Sequence, residues 1–93
     1  MFRLTNKELL GTLGRDECWF YAHRVDNRKN AAGLGRLFLN DVFTGMGPEE
    51  VCCFFIRGRD YVKLLKFGVS GWEVDVLSPA ASAPYLALEW AVT

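Results

Sequence analysis

Apolar and polar positions change rhythm several times along this chain, and each change marks an element. In Trp72-Glu73-Val74-Asp75-Val76 the apolar residues alternate with acids, the pattern of a half-buried strand. Val51-Cys52-Cys53-Phe54-Phe55-Ile56 is apolar throughout, which predicts a strand over 51–57 covered on both sides. Gly58 then predicts a tight turn into a strand over 60–67, and residues 68–71 form the next turn before a strand over 72–77. The aromatic run Cys18-Trp19-Phe20-Tyr21 predicts an earlier strand over 17–22. Between these blocks the period lengthens. Leu34, Leu37, Phe38 and Val42 fall at i, i+3, i+4 and i+8, one stripe of a helix running from about 28 to 42. Asp26 is placed to cap it. Gly33 and Gly35 each weaken a helix by about 1 kcal/mol relative to Ala, so they are read as marks of close packing on the sheet.

The ends are less regular. Thr5 and Glu8 have the spacing of a capping box, which predicts at most two turns of helix before Gly14. Residues 78–84, rich in Ser, Ala and Pro, read as a loop, and 85–92 as a short strand or arm. The expected fold is α+β in the order β-α-β-β-β. One helix packs on a small antiparallel sheet, with a meander of the last three strands and a short C-terminal arm. At 93 residues the chain is expected to form a single domain spanning 1–93.

Charge sharpens this picture. Eleven basic and eleven acidic residues cancel, which argues against a generic whole-surface DNA binder. The distribution is uneven, however. Residues 24–66 hold Arg24, Arg28, Lys29, Arg36, Arg57, Arg59, Lys63 and Lys66, whereas 67–93 contain acids and no base. Lys63 and Lys66 interrupt an otherwise apolar strand, so one face or end of the sheet is expected to be wet and positive. Arg28 and Lys29 at the helix start fit either phosphate contact or, for Arg28, an ion pair with an acid on the neighbouring strand that holds the loop. Arg57, Arg59 and Lys63 around the turn fit either a grip on a nucleic-acid backbone or acidic partner, or a charged hairpin tip that blocks edge aggregation.

Together these segments resemble the small accessory protein encoded by the second open reading frame of insertion sequence 66. Asp26, Arg28 and Lys29 match that family's Asp-x-Arg-Lys-Gly motif, and Gly33-Leu34 matches the pair that follows it. Arg57, Arg59, Asp60, Lys63, Leu64, Leu65, Gly71 and Trp72 match its second motif, an Arg-rich turn and a cationic apolar strand leading into an aromatic one. The likeness covers nearly the whole chain, with an insertion around 6–16, where the family pattern prefers strand. Asn30 stands where the family has Gly, Gly58 and Tyr61 where it has Arg, and Phe67 where it has Trp. Its acidic turn is replaced by Gly68-Val69-Ser70-Gly71. The resemblance implies a non-catalytic protein that assists DNA transposition through contacts with the transposase of the same element, with DNA, or with both. Arg28, Lys29, Arg57, Arg59 and Lys63 would then be the binding residues, and Asp26 and Trp72 structural ones.

The chemistry-bearing residues are sparse. Cys18, Cys52 and Cys53 lack metal-binding spacing and are expected to be buried free thiols in a reducing cytoplasm. No metal, cofactor or small-molecule substrate is expected. No secretory signal or membrane span is visible, and there is no P-loop, nucleophile elbow or carboxylate pair in a suitable context. Two other functions stay open. One is a protein-interaction module that has diverged from nucleic-acid binding. The other is a small ribonuclease using His23 with Arg28 or Lys29, which lacks an evident second acid–base group.

Overall fold

Strand pairing follows from how the apolar runs are connected. The computed structural model describes residues 1–93, the side chain of Asn6 excepted. The elements are β1 (Phe2–Leu4), α1 (Asn6–Leu9), β2 (Cys18–Phe20), α2 (Ala31–Asp41), β3 (Cys52–Phe55), β4 (Val62–Gly68), β5 (Gly71–Val76), α3 (Pro79–Leu86) and α4 (Glu89–Val92). The five strands lie in one sheet in sequence order. Short turns make β3–β4 and β4–β5 antiparallel, as the meander requires, with Cys53 opposite Leu64 and Leu65 opposite Val74. The fold is α+β.

The sheet is not wholly antiparallel. β2 and β3 run parallel, Trp19 opposite Cys52 and Phe20 opposite Cys53, because α2 carries the chain back along the sheet before β3 begins. β1 adds an antiparallel edge strand against β2. Half of the capping box at Thr5 forms: the Thr5 N–H donates to the Glu8 carboxylate at 3.1 Å, but the Glu8 N–H donates to the Thr5 carbonyl and not to its hydroxyl, and the helix that opens here is a single turn. At α2 the cap is Asn30, not Asp26. The Asn30 side chain accepts the Gly33 N–H at 2.9 Å, and helix begins at Ala31. Asp26 accepts the Arg28 N–H at 2.8 Å and is spent on the turn before it.

The C-terminal segment is helical where a loop and a strand were expected. Ser78 caps α3, accepting the Ala81 N–H at 3.1 Å, and Pro79 follows at the helix start, where a missing N–H costs nothing. Alanines at 80, 81 and 83 favour helix. These helices cover the sheet face opposite α2, so β3 and the first half of β4 are buried on both sides. On the α2 face Leu34, Phe38, Cys52, Phe54, Ile56 and Leu65 pack together. On the other, Phe20, Cys53, Phe55 and Leu64 pack with Leu9, Tyr85 and Val92. The buried Ser82 hydroxyl accepts the Val62 N–H at 3.0 Å, tying α3 to the start of β4.

All three cysteines are buried and free. Burial pushes the Cys18 thiol up to about 12 and raises Cys52 and Cys53 well above the ordinary value of 9.0. The folded state thus holds thiol protons that the unfolded state releases. For Cys18 the contribution to stability is present below the free-thiol value and is lost as pH rises from there towards about 12, and the contributions of Cys52 and Cys53 fall with rising pH in the same direction. At neutral pH a thiol-specific reagent should label none of the three in the native protein and all three in denaturant. Fast native labelling of Cys18 would contradict this burial.

Candidate functional site

Because β2 and β3 are parallel, their carboxyl ends lie side by side, and the loops leaving them meet at one end of the sheet. The contact is direct. Val25 pairs with Ile56, the Val25 N–H donating to Phe55 at 2.9 Å and the Arg57 N–H to Val25 at 2.8 Å. The loop entering α2 is therefore fastened to the β3–β4 turn. That turn closes with the Arg59 N–H donating to the Ile56 carbonyl at 3.2 Å, and Gly58 takes φ +70°, a conformation that favours glycine. Arg57 and Arg59 flank it, both exposed.

The five cations read from the sequence come to this end but do different things there. Arg28 is outside, yet its guanidinium holds both carboxylate oxygens of Asp26, at 3.0 and 2.8 Å. That side-chain hydrogen bond, the Arg28 N–H and the charges of Arg28 and Arg57 hold the Asp26 carboxyl well below the usual carboxylate range. Arg28 is thus ion-paired, but with an acid of its own loop and not with one on the neighbouring strand. Lys63 is turned inward. It is 9% exposed, and its ammonium donates to the carbonyls of Asn27 at 2.6 Å and Lys29 at 3.4 Å. It pins the loop instead of offering a charge to solvent. Lys29, Arg57 and Arg59 remain, with exposed side chains that make no hydrogen bond or ion pair among the described residues. Asp26, Arg28 and Lys29 line an open depression of about 320 Å³.

One residue of this end was not singled out from the sequence. Arg24 donates from Nε and Nη2 to both oxygens of Glu89, at 2.9 and 2.7 Å. Its Nη1 donates to the carbonyls of Ile56 at 2.7 Å and Arg59 at 3.1 Å. A single planar guanidinium thus joins the β3–β4 turn to α4. Nothing local betrays it, since its acid lies 65 residues away. His23 is exposed, its ring edge-on to Tyr21 at 6.0 Å. Trp72 is structural in its setting. It lies against α2 at Gly35 and packs edge-on to Phe38 and Phe67, at 6.2 and 4.8 Å.

The opposite end of the sheet carries an exposed apolar patch on the α2 side, among charged residues that include Asp41 and Lys66. Phe67 lies there near the end of β4, Trp72 near the start of β5, and α2 arrives with Leu39. Phe43 is 88% exposed, Phe67 half exposed and Val69 fully so. Leu39, Met46, Phe67 and Trp72 line an open groove of about 260 Å³. The molecule therefore has a basic pole and, at the other end, an apolar patch, its apolar pole. Among the described residues no helix is long and apolar enough to cross a membrane.

Comparison of the chain with family models, curated proteins and solved structures finds no match.

Proposed function

We propose that this chain is a non-catalytic accessory protein of an insertion-sequence-66-like transposable element, working in the cytoplasm. The basic pole contacts the phosphate backbone of the element's DNA. The apolar pole contacts the element's transposase. The observation that carries the reading is the convergence of Lys29, Arg57 and Arg59 on adjoining loops with their charges unspent. These belong to the motifs that carry the family resemblance, and a core has no use for them. Exposed cations on rigid turns bind phosphate by displacing its counterions.

The test is transposition of such an element with this chain as its only accessory protein. Arg57→Glu with Arg59→Glu should abolish transposition and leave the thermal midpoint within a few degrees of wild type, because neither side chain carries a structural bond. Arg28 is left alone, since reversing it would break its two-point pair with Asp26, whereas Arg57 acts on that carboxylate through charge without a bond. Persistent transposition by the folded double variant would overturn the reading.

A second reading, a protein-interaction module that binds no nucleic acid, is favoured by the apolar pole. An exposed Phe beside an open apolar groove marks a protein contact surface. On that reading Phe43→Ser abolishes co-purification with the transposase, and the charge reversals leave transposition intact.

A further inference from the structure

We propose that the basic pole and Trp90 form one site for single-stranded nucleic acid, with phosphates on Lys29, Arg57 and Arg59 and an unpaired base stacked on the Trp90 indole. This rests on the phosphate-binding reading of the basic pole and extends it to the form of the nucleic acid.

The Arg24 clamp brings the parts together. The same guanidinium binds the Arg59 carbonyl at 3.1 Å and the Glu89 carboxylate at 2.7 Å, so α4 begins beside the β3–β4 turn. Trp90 follows Glu89 directly and is 82% exposed. Its support is firm on both sides. Glu89 is held through both carboxylate oxygens, and Val92 is buried against the sheet. An indole on a fixed mount with its surface open is a ready platform for a planar ring. Any base has such a face, so the contact tolerates sequence.

The nearby acids do not oppose a polyanion as their number suggests. Glu89 is neutralised by Arg24 and Asp26 by Arg28, leaving Asp60, and Asp75 near the end of β5, against Lys29, Arg57 and Arg59. Unpaired strands are selected for a steric reason. Duplex bases are stacked on one another and present no free face to an indole, whereas a single strand can turn one outward. Backbone contact at the turn and stacking at α4 then act on neighbouring nucleotides of one strand, the combination used by sequence-tolerant single-strand binders.

The experiment is fluorescence anisotropy with a labelled oligodeoxythymidylate of about ten nucleotides and a duplex of about the same length, a span within the usual site sizes of small single-strand binders. Wild-type protein should bind the single strand more tightly than the duplex and show quenched tryptophan emission on binding. Trp90→Ala should weaken single-strand binding roughly 5- to 150-fold and leave duplex binding unchanged. Trp90→Phe, which keeps an aromatic face, should recover part of the loss. Unchanged single-strand affinity in a folded Trp90→Ala variant overturns the stacking site, as does an equal loss for both nucleic acids. If Arg57→Glu with Arg59→Glu still weakens binding, the phosphate reading survives that failure. If those reversals also change nothing, or if wild-type protein binds neither probe, the phosphate reading fails with it.

Discussion

Leu64→Ala and Leu65→Ala should each cost about 2–5 kcal/mol in urea unfolding, by comparable amounts. Adjacent strand positions point to opposite faces, so in a sheet covered on one side only, one of the pair would be nearly free to change. Here Leu65 faces α2 and is fully buried, while Leu64 faces the C-terminal helices and is 9% exposed. Truncation leaves a cavity in either layer, in the cluster that holds Phe38 and Phe54 for Leu65 and in the one that holds Phe55 and Tyr85 for Leu64. A loss below about 1 kcal/mol for Leu64→Ala would mean that α3 and α4 do not form a packed layer.

Gly35→Ala should destabilise by about 1–3 kcal/mol, although alanine favours helix over glycine by about 1 kcal/mol. A Cβ at Gly35 would sit 2.5 Å from Trp72 Nε1 and 2.6 Å from Cδ2, inside the indole's van der Waals envelope. Helix α2 lies as close to β5 as it does because that position has no side chain. Relief requires moving the helix off the sheet or turning Trp72 away from Phe38 and Phe67, so the steric term wins. Gly33 is the internal control. Its Cβ would meet nothing nearer than 3.4 Å, and Gly33→Ala should stabilise by about 0.5–1 kcal/mol. Thermal unfolding of the two variants should shift in opposite directions. A Trp72→Leu background should remove most of the Gly35→Ala penalty, giving a clear coupling term in the double-mutant cycle. Stabilisation by Gly35→Ala would refute the close approach.

Much of this was legible in the sequence because local pattern and tertiary role agree. The fully apolar 51–56 run forecast a strand buried on both sides, and the turn at Gly58 and the alternation from Trp72 to Val76 forecast the meander. Leu34 and Phe38 do face the sheet, and Gly35 does mark close packing. The parallel β2–β3 pair was not legible, since strand periodicity says nothing of direction. The C-terminal helices were hidden because Ser78-Pro79 reads equally as a turn or as a cap followed by a first helical residue. At the site, composition gathered the cations but could not apportion them. Lys63 looks like a surface charge in a strand, yet it is drawn inward by the carbonyls of a loop more than thirty residues earlier. Arg28 lies two residues from the acid that neutralises it, and Arg24 is bound to one at the far end of the chain.

What the basic pole offers to solvent is therefore three charges, not five, and that makes the account quantitative. The most direct measurement is the slope of log binding constant against log salt for a single-stranded ten-nucleotide oligomer. Three phosphate contacts, at roughly 0.7 counterions released per contact on a single strand, give a slope of about −2 for wild-type protein. Arg57→Glu with Arg59→Glu should weaken binding at every salt concentration and flatten the slope to about −0.7, the value for one remaining contact. A folded double variant that binds as tightly as wild type, with the same slope, would contradict the assignment of the basic pole as the working face.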